Sequence, residues 1–188
     1  MTALEQFLGV IQVADEPLPD QCTAYYMDGG VGACEKPDLR AHVGLGSCHC
    51  CDYFLPHDGN IVLIEETRLL EKKRGLESKY AYLNDEDKDR FVNDLILQRN
   101  QLKVYGAMLV LCRLAIKLPE TAGIVQGKKH YFWLVVSGME SEDTIFFDNL
   151  RDKLHNNLQS VLTAELLDDV EILPAEILEK RLRNTPDP

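Results

Sequence analysis

Residues Cys51 to Thr67 constrain the chain more than any other stretch. They read Cys-Asp-Tyr-Phe-Leu-Pro-His-Asp-Gly-Asn-Ile-Val-Leu-Ile-Glu-Glu-Thr, two strands joined at His57-Asp58-Gly59-Asn60. The Asp-Gly pair tolerates the positive φ that a tight hairpin turn requires. Ile61 to Ile64 is an unbroken apolar run, which predicts a strand buried on both faces. An acid opens the first strand and acids close the second. Pairing the strands brings Asp52 and Glu65 to one point, and converging carboxylates are what a hard divalent cation needs.

The rest of the chain supplies cover for such a hairpin. The spacing of Leu4, Phe7, Leu8 and Ile11 predicts a short amphipathic helix over Ala3–Val13. Prolines and glycines from Glu16 to Gly46 predict an irregular segment, long enough to suggest a functional loop or one tied down by a ligand. Asn84 or Asp85 can cap a long helix whose first turn carries Glu86, Asp87 and Asp89, and Pro119 ends it after Leu118. Gly106 within it marks a bend or a close-packing point. His130–Ser137 predicts a second buried strand, Asp143–Leu162 an amphipathic helix, and Val170–Leu173 a last short strand. Glu179–Pro188 reads as a frayed charged tail. The order predicts an α/β fold, a mixed central sheet flanked by helices. At 188 residues the expectation is one domain: an N-terminal helix and Gly/Cys-rich loop over 1–47, a core over 48–175 and a tail over 176–188.

With Asp52, the hairpin turn and Glu65 in place, the stretch resembles the core of the PD-(D/E)XK nuclease superfamily, the restriction-endonuclease-like fold. Gln101-Leu102-Lys103-Val104-Tyr105 is similar to the Gln-x-x-x-Tyr helix motif of its RecB-like members. The resemblance covers roughly 39–173. It implies that Asp52 and Glu65 bind Mg²⁺ or Mn²⁺, that Gln101 and Tyr105 face the site one helical turn apart, and that the protein hydrolyses DNA phosphodiesters in restriction, repair or phage defence. Such a cation lowers the pKa of a bound water and stabilises charge on the scissile phosphate. Thr67 stands where the resemblance expects a lysine. Lys103, or Lys72 and Lys73, could supply that charge from elsewhere, whereas nearby Arg68 is a poor base. Alternatively, catalysis is lost and the chain acts as a regulatory or protein-binding subunit on a nuclease-like fold.

The cysteines form a second constellation. Cys48-His49-Cys50-Cys51 follows Cys22, Cys34 and His42. Thiolates and imidazoles at short spacing suit a structural Zn²⁺, with Cys34, Cys48 and Cys50 as its expected ligands. The Cys-x-Cys-Cys arrangement is unusual for a standard knuckle, and the lack of cysteines after Cys112 weighs against an iron–sulfur cluster. A Cys50–His49 nucleophile pair lacks an orienting acid. Cys112, among Leu111 and Leu114, reads as core.

A net charge of −11 argues against a generic nucleic-acid-coating protein, because such binding is driven largely by lysine and arginine neutralising phosphates. Contact with DNA is therefore expected through a partner protein or a local basic patch. Lys72-Lys73-Arg74 and Lys128-Lys129-His130 are the candidate patches, although such runs are commonly just solvated faces. A protein complex or homodimer fits the same expectation. No apolar run reaches the length of a membrane span, and no secretory signal is evident, so the expected compartment is cytoplasmic, with reduced thiols.

Overall fold

The structure, a computed structural model, describes residues 4–19, 22–29, 38–57, 59–125, 129–161 and 167–183. In chain order the elements are β1 (Leu8–Val10), β2 (Gln12–Val13), β3 (Glu16–Pro17), β4 (Thr23–Tyr26), α1 (Leu39–His42), β5 (Tyr53–His57), β6 (Asn60–Thr67), α2 (Leu69–Lys79), α3 (Asp85–Lys117), α4 (Ala122–Val125), β7 (His130–Val136), α5 (Thr144–Val161), β8 (Asp169–Pro174) and α6 (Ala175–Arg183). Among the described residues, six strands form one mixed sheet in the order β1-β4-β5-β6-β7-β8. β4, β5 and β6 make an antiparallel meander, and β7 and β8 join parallel to β6. The parallel strands need long crossovers, which α2–α4 and α5 provide.

The central hairpin forms as its sequence predicts. Tyr53 pairs with Ile64 and His57 with Asn60, and Gly59 takes φ +76° in the turn. β6 lies between an antiparallel and a parallel neighbour, and Ile61–Ile64 are buried. Its side chains alternate between two cores. Ile61 and Leu63 join the larger cluster with Val104, Leu111 and Leu154, whereas Val62 and Ile64 join a second with Ile11, Trp133 and Leu178. The same alternation turns Glu65 and Thr67 toward α3 and Glu66 away from it.

α3 follows its capping signals. The Asn84 side chain accepts a hydrogen bond from the Asp87 amide at 2.9 Å, and Asp85, Glu86 and Asp87 fill the first turn. The helix stops at Lys117, ahead of Pro119, whose ring cannot continue the ladder. Gly106 is a close-packing point: a Cβ there would lie 1.6 Å from the His49 carbonyl oxygen.

Several expectations are corrected. The helix expected over Ala3–Val13 does not form in its described part, 4–13; a single 3-10 turn at Glu5–Phe7 leads into β1 and β2. Val10 and Val13 are β-branched, and their strand pairing with Thr23 and Glu16 outweighs the helical spacing of the leucines. Ala14 and Asp15, at φ 53° and 67°, turn the chain between β2 and β3. The segment read as irregular contains β3, β4 and α1, although 30–37 lie outside the described residues. The tail reading fails over 176–183, where α6 buries Leu178 and sets Arg181 over the Trp133 ring at 5.0 Å. α2 was not foreseen, because its charged run reads as surface. Cys112 is exposed rather than core, since it sits on the opposite side of α3 from buried Leu111 and Leu114.

Candidate active site

The register that pairs Tyr53 with Ile64 sets Asp52, one residue back, opposite Glu65. An Asp52 carboxylate oxygen accepts the Glu66 amide at 2.8 Å, which ties the start of β5 to the end of β6. The Asp52 carbonyl accepts from Met27 at 2.9 Å and holds the chain leaving β4. Glu65 is 2 % exposed. Its Oε1 accepts a hydrogen bond from Lys103 Nζ, reaching in from α3. Its Oε2 is buried without a hydrogen-bond partner. An orphaned buried carboxylate oxygen is costly unless something positive or protic meets it.

Glu65 and Lys103 border a cavity of about 530 Å³, and Asp52 lies behind Glu65 outside its lining. Glu65, Thr67, Lys72, Arg99, Asn100 and Lys103 give it polar character, with His49 at one side, while Leu69, Leu76, Ile96 and Leu102 make apolar walls. Lys72, one helical turn past the end of β6, donates to Thr67 Oγ1 at 2.8 Å. An ammonium thus stands beside Thr67, and a second reaches Glu65 from α3. Three cations, Lys72, Arg99 and Lys103, line the cavity that holds this carboxylate, on a chain that is strongly acidic as a whole.

Burial pushes the Glu65 carboxyl up from 4.5 to about 8; the Asp52 carboxylate adds to the rise, and Lys103 opposes it. Burial also raises Asp52, against the pull of Lys103 and the Glu66 amide. For Lys103 burial works downward, but the Glu65 and Asp52 carboxylates outweigh it and hold the ammonium charged. Two acids and one base therefore share a poorly solvated spot, and an additional cation would relieve both acids.

The five residues proposed as catalytic separate here. Asp52, Glu65 and Lys103 come together. Gln101 and Tyr105 do not line the cavity, and Tyr105 packs against the larger core. Helix geometry gives the reason: at about 100° per residue, positions two before and two after Lys103 point roughly 160° away from it. Arg99 and Asn100, three and four residues before Lys103, share its face instead. Neither was anticipated, although the i, i+3, i+4 spacing from Lys103 carried the signal.

The other candidates fall away from this point. Glu66 faces the opposite side of the sheet and accepts from Ser137 Oγ at 2.8 Å. Arg68 is paired with Asp15 at 2.8 Å, and Lys73 with Glu77 at 2.8 Å. His130 is buried, and burial lowers its pKa, so it adds no charge to a basic patch; Lys128 lies outside the described residues. Of the expected zinc ligands, Cys34 lies outside the described residues. Among the described residues no group of three or more His, Cys, Asp or Glu side chains could hold a metal ion, so Cys48 and Cys50 complete no such set. Burial and the Asp28 carboxylate raise the Cys50 thiol, which leaves it a poor nucleophile beside His49.

Fold and site together define a mixed α/β protein with a carboxylate–lysine cluster at the end of its central hairpin. No family model, no curated protein and no solved structure matches the chain. Among the described residues no helix is long and apolar enough to cross a membrane.

Proposed function

We propose that the cavity is the active site of a divalent-metal-dependent phosphodiester hydrolase acting on DNA, on a restriction-endonuclease-like fold. One observation carries the reading: α3 delivers Lys103 to Glu65 beside Asp52, leaving the second Glu65 oxygen buried without a partner. An antiparallel meander followed by a helical crossover to a parallel strand, with acids at the hairpin end, is compatible with that fold.

Asp52 and Glu65 would hold Mg²⁺ or Mn²⁺. Two carboxylates suffice for Mg²⁺, which commonly keeps several waters and takes its remaining ligands from substrate phosphates. When bound, the ion supplies Lewis acidity for water activation and for charge on the scissile phosphate. Lys103 holds the Glu65 carboxylate in place and takes the part of the lysine absent at Thr67. Lys72 and Arg99 offer charge to a phosphate at the cavity mouth. The buried Leu69, Leu76 and Ile96 lower the local dielectric and strengthen each of these interactions. With so few cations the footprint on DNA is small, and binding should fall only gently with salt.

The test is calorimetric titration of Mn²⁺ and Mg²⁺ into metal-free protein, beside Asp52→Ala and Glu65→Ala, followed by cleavage of single- and double-stranded DNA. Binding lost in both variants, with cleavage lost in them and in Lys103→Ala, is the expected result. Absence of binding in the wild type would overturn the proposal. It would favour a second reading, a catalytically silent subunit, which rests on Thr67 and on Lys103 already neutralising Glu65.

A further inference from the structure

α3 carries two apolar faces. One is buried in the larger core through Val92, Ile96, Val104, Leu111 and Leu114. The other has heptad spacing and is exposed at most of its positions, with Leu95 and Tyr105 half-buried against the larger core. Its a positions are Leu95, Leu102, Leu109 and Ile116, and its d positions are Phe91, Gln98, Tyr105 and Cys112. Leu102, Leu109 and Ile116 are 53 %, 47 % and 70 % exposed, and Phe91 and Cys112 are also exposed. From Phe91 to Ile116 the seam runs about 38 Å along the helix. Scattered exposed apolar residues are ordinary, but alternating three- and four-residue steps over four heptads are the pattern of a helix that packs against another helix.

We infer that this seam is a self-association surface, joining two copies of the chain through parallel α3 helices. Charge selects the occupant and its direction. The g positions include exposed Asp94, and the charged e positions are Arg99 and Arg113. A parallel pair sets each g residue against the e residue five places on in the other helix, so Asp94 of each copy meets Arg99 of the other, twice by symmetry. An antiparallel pair sets e against e and g against g. Its e flank would offer Arg99 and Arg113 no acid, only each other, Val92 or Gly106, and its g flank would hold only acidic or uncharged side chains. The helix thus complements itself in one direction. Gln98 is the single polar side chain of the seam, and it would face its own copy in the parallel pair. Arg99 also lines the Glu65 cavity, so the interface would border that cavity in both copies.

Sedimentation velocity of the full chain over a hundredfold concentration range reads the mass directly. The expected result is a species of twice 21.3 kDa. The double variant Leu109→Glu with Ile116→Glu should be monomeric with an unchanged circular dichroism spectrum. Asp94→Arg alone should weaken the dimer roughly tenfold through like-charge contact with Arg99, and adding Arg99→Asp should restore it. A short bis-maleimide should cross-link the wild-type dimer through Cys112 and fail on Cys112→Ser. A monomeric wild type, or a dimer that survives both glutamates, overturns the interface. A dimer that loses to the glutamates but never cross-links through Cys112 overturns the parallel arrangement. If the double-glutamate variant misfolds, the charge-reversal pair decides: no rescue by the second reversal overturns the proposal.

Discussion

Replacing Gly106 by alanine sets two effects of opposite sign against each other. Glycine in a helix interior costs about 1 kcal/mol relative to alanine, so propensity alone predicts that the change stabilises α3. Packing predicts the reverse. The new methyl would lie 1.6 Å from the His49 carbonyl oxygen, 2.8 Å from its carbonyl carbon and 2.9 Å from Cys48 Sγ. Ordinary contact needs roughly twice the first distance, and the obstacle is backbone that cannot rotate away. The loop would have to retreat by well over an ångström, and it leads within three residues to Asp52 at the start of the hairpin. Overpacking typically costs about 1–3 kcal/mol, and a backbone obstacle belongs at the upper end. Packing therefore wins, and the net expectation is a loss of about 2 kcal/mol once the propensity gain is subtracted, read as a lower urea midpoint by circular dichroism. Gly75, inside α2, is the matched control, because a Cβ there meets nothing within 4 Å. Gly75→Ala should gain about 0.5–1 kcal/mol. If Gly106→Ala proves as stable as Gly75→Ala, the close approach of α3 to the Cys48–His49 loop is refuted.

Three further outcomes follow from the same geometry. Because burial raises Glu65, the folded chain holds that proton more tightly than the unfolded chain. This contribution is fully present below about pH 4.5 and is lost as pH rises through about 8. At about 1.4 kcal/mol per tenfold change in proton affinity, the ceiling is roughly 5 kcal/mol. In metal-free buffer Glu65→Gln should lack most of that decline; denaturation curves at pH 5 and pH 8.5 that shift equally in both proteins would count against the buried acid. Asn84→Ala removes the side-chain acceptor at the N-terminus of α3 and should cost about 1 kcal/mol, with a flat result arguing against the cap. Leu178→Ala should cost about 2–5 kcal/mol, since Leu178 is fully buried against the back of the sheet, and a neutral result would restore the frayed-tail reading.

What the chain's residues determine by themselves is the local framework. An Asp-Gly turn fixes the β5–β6 hairpin, an unbroken apolar run commits β6 to the centre of a sheet, and Asn84 and Pro119 bracket α3. These signals act over a few residues, so they are legible without knowledge of the remainder. The hairpin register also sets Asp52 opposite Glu65, since antiparallel pairing is determined by the turn. Tertiary structure decided everything that depends on distant pairing. Val10 and Val13 became strand because β4 and β3 were there to pair with them, not because their spacing changed. Ala175–Arg183 became helix because the second face of the sheet offered Leu178 a place to bury. Along α3, sequence alone offered Gln101, Lys103 and Tyr105 equally. Only the rotation of the helix about its axis, set by the burial of Val104 and Leu111 and by the glycine contact at His49, aimed Lys103 at Glu65 and turned Gln101 and Tyr105 away.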